Sequence, residues 1–289
     1  MNVGRRRFLA ISAALACFPA AASASVWKGR GFGAEIQISL HGPSSITGPA
    51  LTEARHALQH IESLFSLYDP ASALSKLNKA GFLTRPDPDF LALMHASDLA
   101  WRTSEGLFDP TVQGLWRALA TGSETLSDRD WSAVRFAPER ITLLPGQMLT
   151  FNGIAQGYAT DRVTEILSGH GLKQALVNIG EFRSLGGPWR LGISDPEYGL
   201  LGTRGLTGRA IATSSAAAHT VAGQSHIMHR SHLPKWSTVS VEADTATIAD
   251  SLSTAMMLAS RDRIETIRSR HADVHRIVLI DAAGDLTTV

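Results

Sequence analysis

The chain of 289 residues has one cysteine, Cys17. That residue lies in an N-terminal stretch that reads as an export signal, so the mature protein is expected to have no disulfide, no thiolate metal site and no cysteine nucleophile. Long apolar runs are scarce as well. The run from Phe8 to Phe18 falls short of the ~20 residues a membrane-spanning helix needs, which argues against an integral membrane protein. Aromatic residues make up 7% of the chain and charged residues 18%. No basic stripe with interleaved aromatics is present, and this argues against nucleic-acid binding. The sequence pI of about 8.0 owes much to Arg5, Arg6 and Arg7. Without residues 1–24, which hold those arginines and no acid, the mature chain is slightly acidic. Neither a P-loop lysine motif nor a Gly-x-Gly-x-x-Gly fingerprint occurs.

What is present begins with Arg5-Arg6-Arg7-Phe8-Leu9, an apolar run, and the cleavage-like Ala22-Ser23-Ala24. This predicts a twin-arginine-type signal peptide over residues 1–24 and a periplasmic mature domain over residues 25–289. Lipid attachment at Cys17 is the lesser alternative, because Ala14 stands where a lipoprotein signal usually has leucine. The 44% hydrophobic content suits a folded protein of one large domain or two tightly joined lobes. Strands and helices alternate irregularly, which predicts an α+β fold rather than a doubly wound sheet.

Several stretches carry chemistry. In Ile248 to Met257, read as a helix, Asp250 and Thr254 stand four residues apart on one face. A carboxylate and a hydroxyl so placed can share a hard cation; the alternative is that Asp250 and Ser251 cap the helix. In Thr150 to Asp161 a strand is expected to enter a glycine turn at Gly153 to Gly157 and a helix to leave it, a favourable anion site. Leu176 to Gly180 reads as a buried strand ending in a turn. Thr213, Ser214 and Ser215 gather hydroxyls at a strand end, where they can simply satisfy the turn. His226 to His232 packs three histidines and Arg230 into seven residues; a loop with one functional histidine is preferred there to a zinc site.

These blocks resemble, in order and over nearly the whole mature chain, the family of FAD:protein FMN transferases. The residues that carry the resemblance are Phe65 to Asn78, Gly106 to Val112, Gly153 to Asp161, Leu176 to Gly180, Ala212-Thr213-Ser214, His226-Ile227, and Ala249-Asp250 with Thr254. The resemblance implies a single compact domain of two α/β-type lobes with mixed sheets and FAD held between the lobes. It implies Mg²⁺-dependent transfer of FMN from FAD to a threonine hydroxyl of a partner protein, here a redox membrane protein, with release of AMP. By the same resemblance the metal falls to Asp250, Ser253, Thr254 and the Gly153 carbonyl, and catalysis to His226 as general base with Asp250. FAD contacts fall to Phe32, Tyr68, Leu107, Phe108, Asp109, Gln156 and Met228.

The chain departs from the family pattern at four places. Gln156 replaces a usual lysine, Glu181 a second glycine, and Thr150 an acid. The segment from His226 to Pro234 is one residue short and lacks an acid, with Arg230 placed to supply phosphate charge. Two alternatives therefore stand beside the transferase: an exported FAD-binding accessory protein, and a hydrolase that splits FAD into FMN and AMP.

Overall fold

The computed structural model describes residues 24–123 and 129–289. The signal read over residues 1–24, Cys17 included, lies outside the described residues except for Ala24, which begins β1 (Ala24–Gly31). β1 and β2 (Ala34–His41) form a hairpin closed by Phe32-Gly33, whose φ values of 52° and 74° suit the tight turn that right-twisted strands favour. There follow α1 (Ser44–Phe65), α2 (Ala73–Ala80), β3 (Phe82–Thr84), α3 (Pro88–Thr103), α4 (Gln113–Thr121), β4 (Arg135–Ala137), β5 (Arg140–Thr142) and α5 (Ala155–Gly169). The second half carries β6 (Gln174–Asn178), β7 (Phe182–Leu185), β8 (Trp189–Asp195), β9 (Gly199–Leu206), β10 (Ala210–Ser215), β11 (Thr220–Val221) and β12 (Gln224–Ser225). β13 (Thr238–Ala243), α6 (Ala246–Met256), α7 (Arg261–Ser269), β14 (Val274–Ile280) and β15 (Leu286–Thr288) complete the chain. No helix among the described residues is long and apolar enough to cross a membrane.

Eight strands form one sheet in the order β1-β2-β6-β7-β10-β13-β14-β15, which is also their order in the chain. The α+β class holds. Every strand pair among the described residues is antiparallel, where mixed sheets were expected. The reason is connectivity: each strand pairs with its predecessor in the sheet, either through a short turn or through an excursion that returns to the same end. The excursion from β2 to β6 holds α1 to α5, and that from β13 to β14 holds α6 and α7.

Period-two alternation divides the side chains between the two faces of the sheet. Ile36, Ile38 and Leu40 of β2, Val177 of β6, Val239 and Val241 of β13 and Leu279 of β14 join the main core with Leu58 and Ile61 of α1, Val163 of α5 and Leu252 of α6. Leu176 and Ile211 turn the other way, into a second cluster with Trp189, Leu191 and Leu206 of the β8–β9 hairpin. Helices thus cover one face and a hairpin covers part of the other. The strand expected to enter the Gly153 turn is not formed; Gly153 lies in a turn that leads straight into α5.

Candidate active site

α6 starts earlier than a cap at Asp250 would require. Thr245 is its N-cap, accepting from the Ile248 N–H, and Asp161 of α5 accepts from the next two free donors, Ala246 N and Thr247 N, at 2.8 Å each. Arg183 of β7 reaches the same carboxylate at 2.7 Å. Asp250 is therefore mid-helix, where a carboxylate has no capping use. One turn along α5, Gly157 meets α6 so closely that a Cβ there would lie 2.3 Å from the Ala246 carbonyl oxygen and 2.8 Å from the Asp250 Cβ. Only glycine allows this approach. It brings the Gly157 N–H to Asp250 Oδ2 at 3.0 Å.

Asp250 is 4% exposed. Burial pushes its carboxyl up to about 7; the Gly157 N–H pulls the other way, and the negative charge of Asp161 adds to the rise. Among the described residues Oδ1 accepts no hydrogen bond. Thr254, on the same helix face, packs against Gly153, where an added Cβ would stand 2.9 Å from the threonine Oγ1. Ser214 at the end of β10 places its hydroxyl 2.8 Å from Ser253 Oγ and 3.4 Å from Thr254 Oγ1. The Ser214 hydroxyl thus lies with Ser253 and Thr254 instead of serving only the strand-end turn. The structure brings Asp250, Ser253, Thr254 and Gly153 together and adds Ser214. A carboxylate and hydroxyls with no cationic side chain are donors for a hard divalent cation.

Glu181, 8% exposed, also belongs to this region and was not foreseen as a site residue. Its Oε2 accepts from the Thr213 N–H at 3.0 Å. Burial raises its carboxyl well above the usual range, and the negative charge of Asp250 raises it further. Gln156 lies beside it: a Cβ on Gly180, whose φ is 98°, would meet the Gln156 amide at 2.7 Å.

The short segment after β12 docks on the 106–111 turn. His229 Nε2 lies 3.1 Å from the Gly106 carbonyl, and its Nδ1 accepts from the Ser231 N–H at 3.1 Å. Both ring nitrogens are thereby engaged by a neutral imidazole, which leaves neither for zinc. Arg230 donates to Asp109 Oδ2 at 2.6 Å, to the Thr111 carbonyl at 3.4 Å and to the Arg129 carbonyl at 2.8 Å. The guanidinium expected to face phosphate is spent on this turn. His226 Nδ1 sits 2.9 Å from the His219 carbonyl and so carries a proton, which makes Nε2 the basic nitrogen.

The expected flavin contacts are spread over these elements. Phe32 occupies the β1–β2 turn, with its N–H on Glu62 Oε1 at 3.0 Å. Tyr68 is 66% exposed just past α1. Leu107 and Phe108 are buried in the main core, Asp109 is buried against Arg230, and Met228 is half-buried next to core Ile227. A separate group, His60, Asp87 and Asp89, places ligand atoms within 4.8 Å of one another near the start of α3. Tyr158 and Arg162 already engage Asp89 there.

An antiparallel α+β scaffold carrying a glycine turn, a mid-helix carboxylate and gathered hydroxyls defines a protein with a built oxygen-donor site. The profile of the ApbE family matches residues 32–278, and the chain belongs to that family. An FAD:protein FMN transferase of Rhodobacter capsulatus is 27% identical over 265 residues, covering 80% of this chain and 50% of that protein. The chain thus spans about half the length of that relative. Another, from Klebsiella pneumoniae (strain 342), is 24% identical over 304 residues, covering 89% of this chain and 85% of that protein. Among solved structures, the ApbE protein of Thermotoga maritima superposes with a TM-score of 0.81 at 22% identity, covering 92% of this chain and 96% of that one. The flavin transferase ApbE of Vibrio cholerae gives 0.79 at 20% identity, covering 93% and 97%. At such identities the superpositions establish the fold.

Proposed function

We propose that the chain is a Mg²⁺-dependent FAD:protein FMN transferase that moves FMN to a threonine hydroxyl of a partner flavoprotein and releases AMP. The observation that carries this reading is Asp250, buried mid-helix with one oxygen on the Gly157 N–H and the other without a hydrogen bond among the described residues, on the helix face where Thr254 packs against Gly153. These donors fit Mg²⁺, held by Asp250, Ser253, Thr254 and the Gly153 carbonyl. Bound there, Mg²⁺ would supply charge neutralisation on the pyrophosphate oxygens as the bond from phosphorus to the bridging oxygen breaks.

The protein's own residues perform the remaining tasks. His226 takes the proton of the acceptor threonine at Nε2 while the threonine oxygen attacks the FMN phosphorus. The bond from that phosphorus to the bridging oxygen breaks, and AMP leaves with that oxygen. Phe32, Tyr68, the Leu107-Phe108-Asp109 turn, Gln156 and Met228 surround FAD, the turn being fixed in place by His229 and Arg230. The arginine pair and the Ala22-Ser23-Ala24 site support export to the periplasm by the twin-arginine route, with a redox membrane protein as acceptor.

The test is incubation of mature protein with FAD, Mg²⁺ and a threonine-bearing acceptor peptide, scored by AMP release and in-gel flavin fluorescence. AMP together with labelled peptide supports transfer. AMP without labelled peptide replaces transferase by hydrolase, and neither product removes both enzymatic readings. Asp250→Ala is expected to lower Mg²⁺-stimulated turnover by at least ~10²-fold with the fold retained.

A further inference from the structure

We infer that Glu181 is a second carboxylate ligand of the cation held by Asp250, so that this chain's site carries two buried acids. The inference rests on the reading that a divalent cation binds at Asp250.

The two acids share a pattern. Each is more than nine-tenths buried, and each has one oxygen on a single backbone N–H, Gly157 for Asp250 and Thr213 for Glu181. Among the described residues the second oxygen of each accepts no hydrogen bond, and no arginine, lysine or histidine pairs with either. Two carboxylates buried within mutual electrostatic reach and without a counter-charge form an arrangement that proteins retain when a cation completes it.

Backbone contacts hold Glu181 against the strand end that carries Ser214. Its carbonyl lies 3.4 Å from Thr160 Oγ1 of α5, and its carboxylate grips Thr213, whose chain neighbour Ser214 bonds Ser253 and touches Thr254. Gly180, in the left-handed region, presses on the Gln156 side chain, and Gln156 directly precedes the glycine that serves Asp250. Glu181 is thus held between α5 and β10, its carboxylate on the residue next to Ser214. A glycine at this position would bring no charge. A second anionic oxygen at a hard-cation site tightens binding, since affinity there follows ligand charge.

The experiment uses purified mature protein without FAD, titrated with MnCl₂ and MgCl₂ by calorimetry. The parent is compared with Glu181→Gln, which keeps an acceptor for the Thr213 N–H, and with Asp250→Asn. Glu181→Gln is expected to weaken metal binding at least ~10-fold, with its metal-free unfolding midpoint no lower than that of the parent. Terbium luminescence lifetimes in H₂O and D₂O, read also on Glu181→Gly in case the glutamine variant folds poorly, are expected to count about one more bound water when the carboxylate is gone. Binding by Glu181→Gln within ~2-fold of the parent, with unchanged water count, overturns the inference alone, provided Asp250→Asn abolishes binding. No saturable binding by the parent overturns the cation reading and the inference with it.

Discussion

Asp161 and Glu242 are buried acids with every oxygen answered, whereas Asp250 and Glu181 are buried acids answered on one side only. Asp161 takes Arg183 and Ala246 N on Oδ1, and Thr247 N with the Thr247 hydroxyl on Oδ2. Glu242 holds Arg204 at 2.9 Å on one oxygen and Arg209 at 3.1 Å on the other. The same fold therefore has the means to satisfy a buried carboxylate fully and does so where the role is to dock α5, α6 and β7, or to tie β9 and the turn that follows it to β13. At Asp250 and Glu181 the described residues supply one N–H each and no positive side chain. A half-answered buried acid costs stability, and its presence beside gathered hydroxyls is where a ligand's charge is expected.

The sharpest way to break this comparison is to remove an acid of each kind. Asp161→Ala strips the first donors of α6 and orphans Arg183, and is expected to lower the unfolding free energy by about 3 kcal/mol, measured by urea denaturation at pH 8. Asp250→Asn in chelator keeps an acceptor for the Gly157 N–H and removes a buried charge. It is expected to leave stability unchanged or raise it. Equal losses in the two variants would show that Asp250 is structural in the same sense as Asp161.

The sequence exposed one half of this contrast better than the other. Asp250 and Thr254 are visible from their i, i+4 spacing, and Gly153 to Gly157 from the glycines. The cap alternative for Asp250 fell only when the structure placed the helix start at Thr245 and Asp161. Asp161 ends the Gly153 to Asp161 block of the resemblance, but its docking role is not legible there, because its partners, Arg183 and the start of α6, are distant in sequence. Glu181 follows a strand-ending glycine and reads as a turn residue; burial by β10 is a tertiary fact. Its departure from the family's glycine was the available signal. Ser214 reads in the sequence as open between turn and site, and Arg230 as a source of phosphate charge rather than a partner of Asp109. In the fold, β1 merged into the small residues closing the signal, and the pairing of β2 with β6 is not encoded in local alternation.

Asp109 is an intermediate case, an acid answered by a loop rather than by the scaffold. Burial raises its carboxyl, and Thr111 and Arg230 offset only part of that rise. Arg230→Ala leaves it without a cation and frees the 226–234 segment from the 106–111 turn. Loss of a charged hydrogen bond of this kind is worth about 1.5 kcal/mol. The expectation is a ~10-fold rise in KM for FAD with a smaller change in kcat, measured by AMP release. An unchanged KM would mean that the turn is positioned without the loop.

The smallest effect is expected at Glu242, whose arginines are about one-third exposed and partly screened by solvent. Burial alone would raise its carboxyl, but Arg204 and Arg209 more than offset this and hold it below the usual glutamate range. A depressed folded-state value means that the folded protein holds its charge where the unfolded chain, near pH 4.3, already takes a proton. The stabilisation is therefore present above that pH and is lost as pH falls through the lower folded value. Glu242→Gln should cost about 1 kcal/mol at pH 7, a difference that shrinks as pH drops below about 4. Denaturation curves of parent and variant across that range decide the matter: a gap that persists unchanged into acid would assign the loss to packing, and Glu242 would no longer serve as the charge-satisfied counterpart of Asp250.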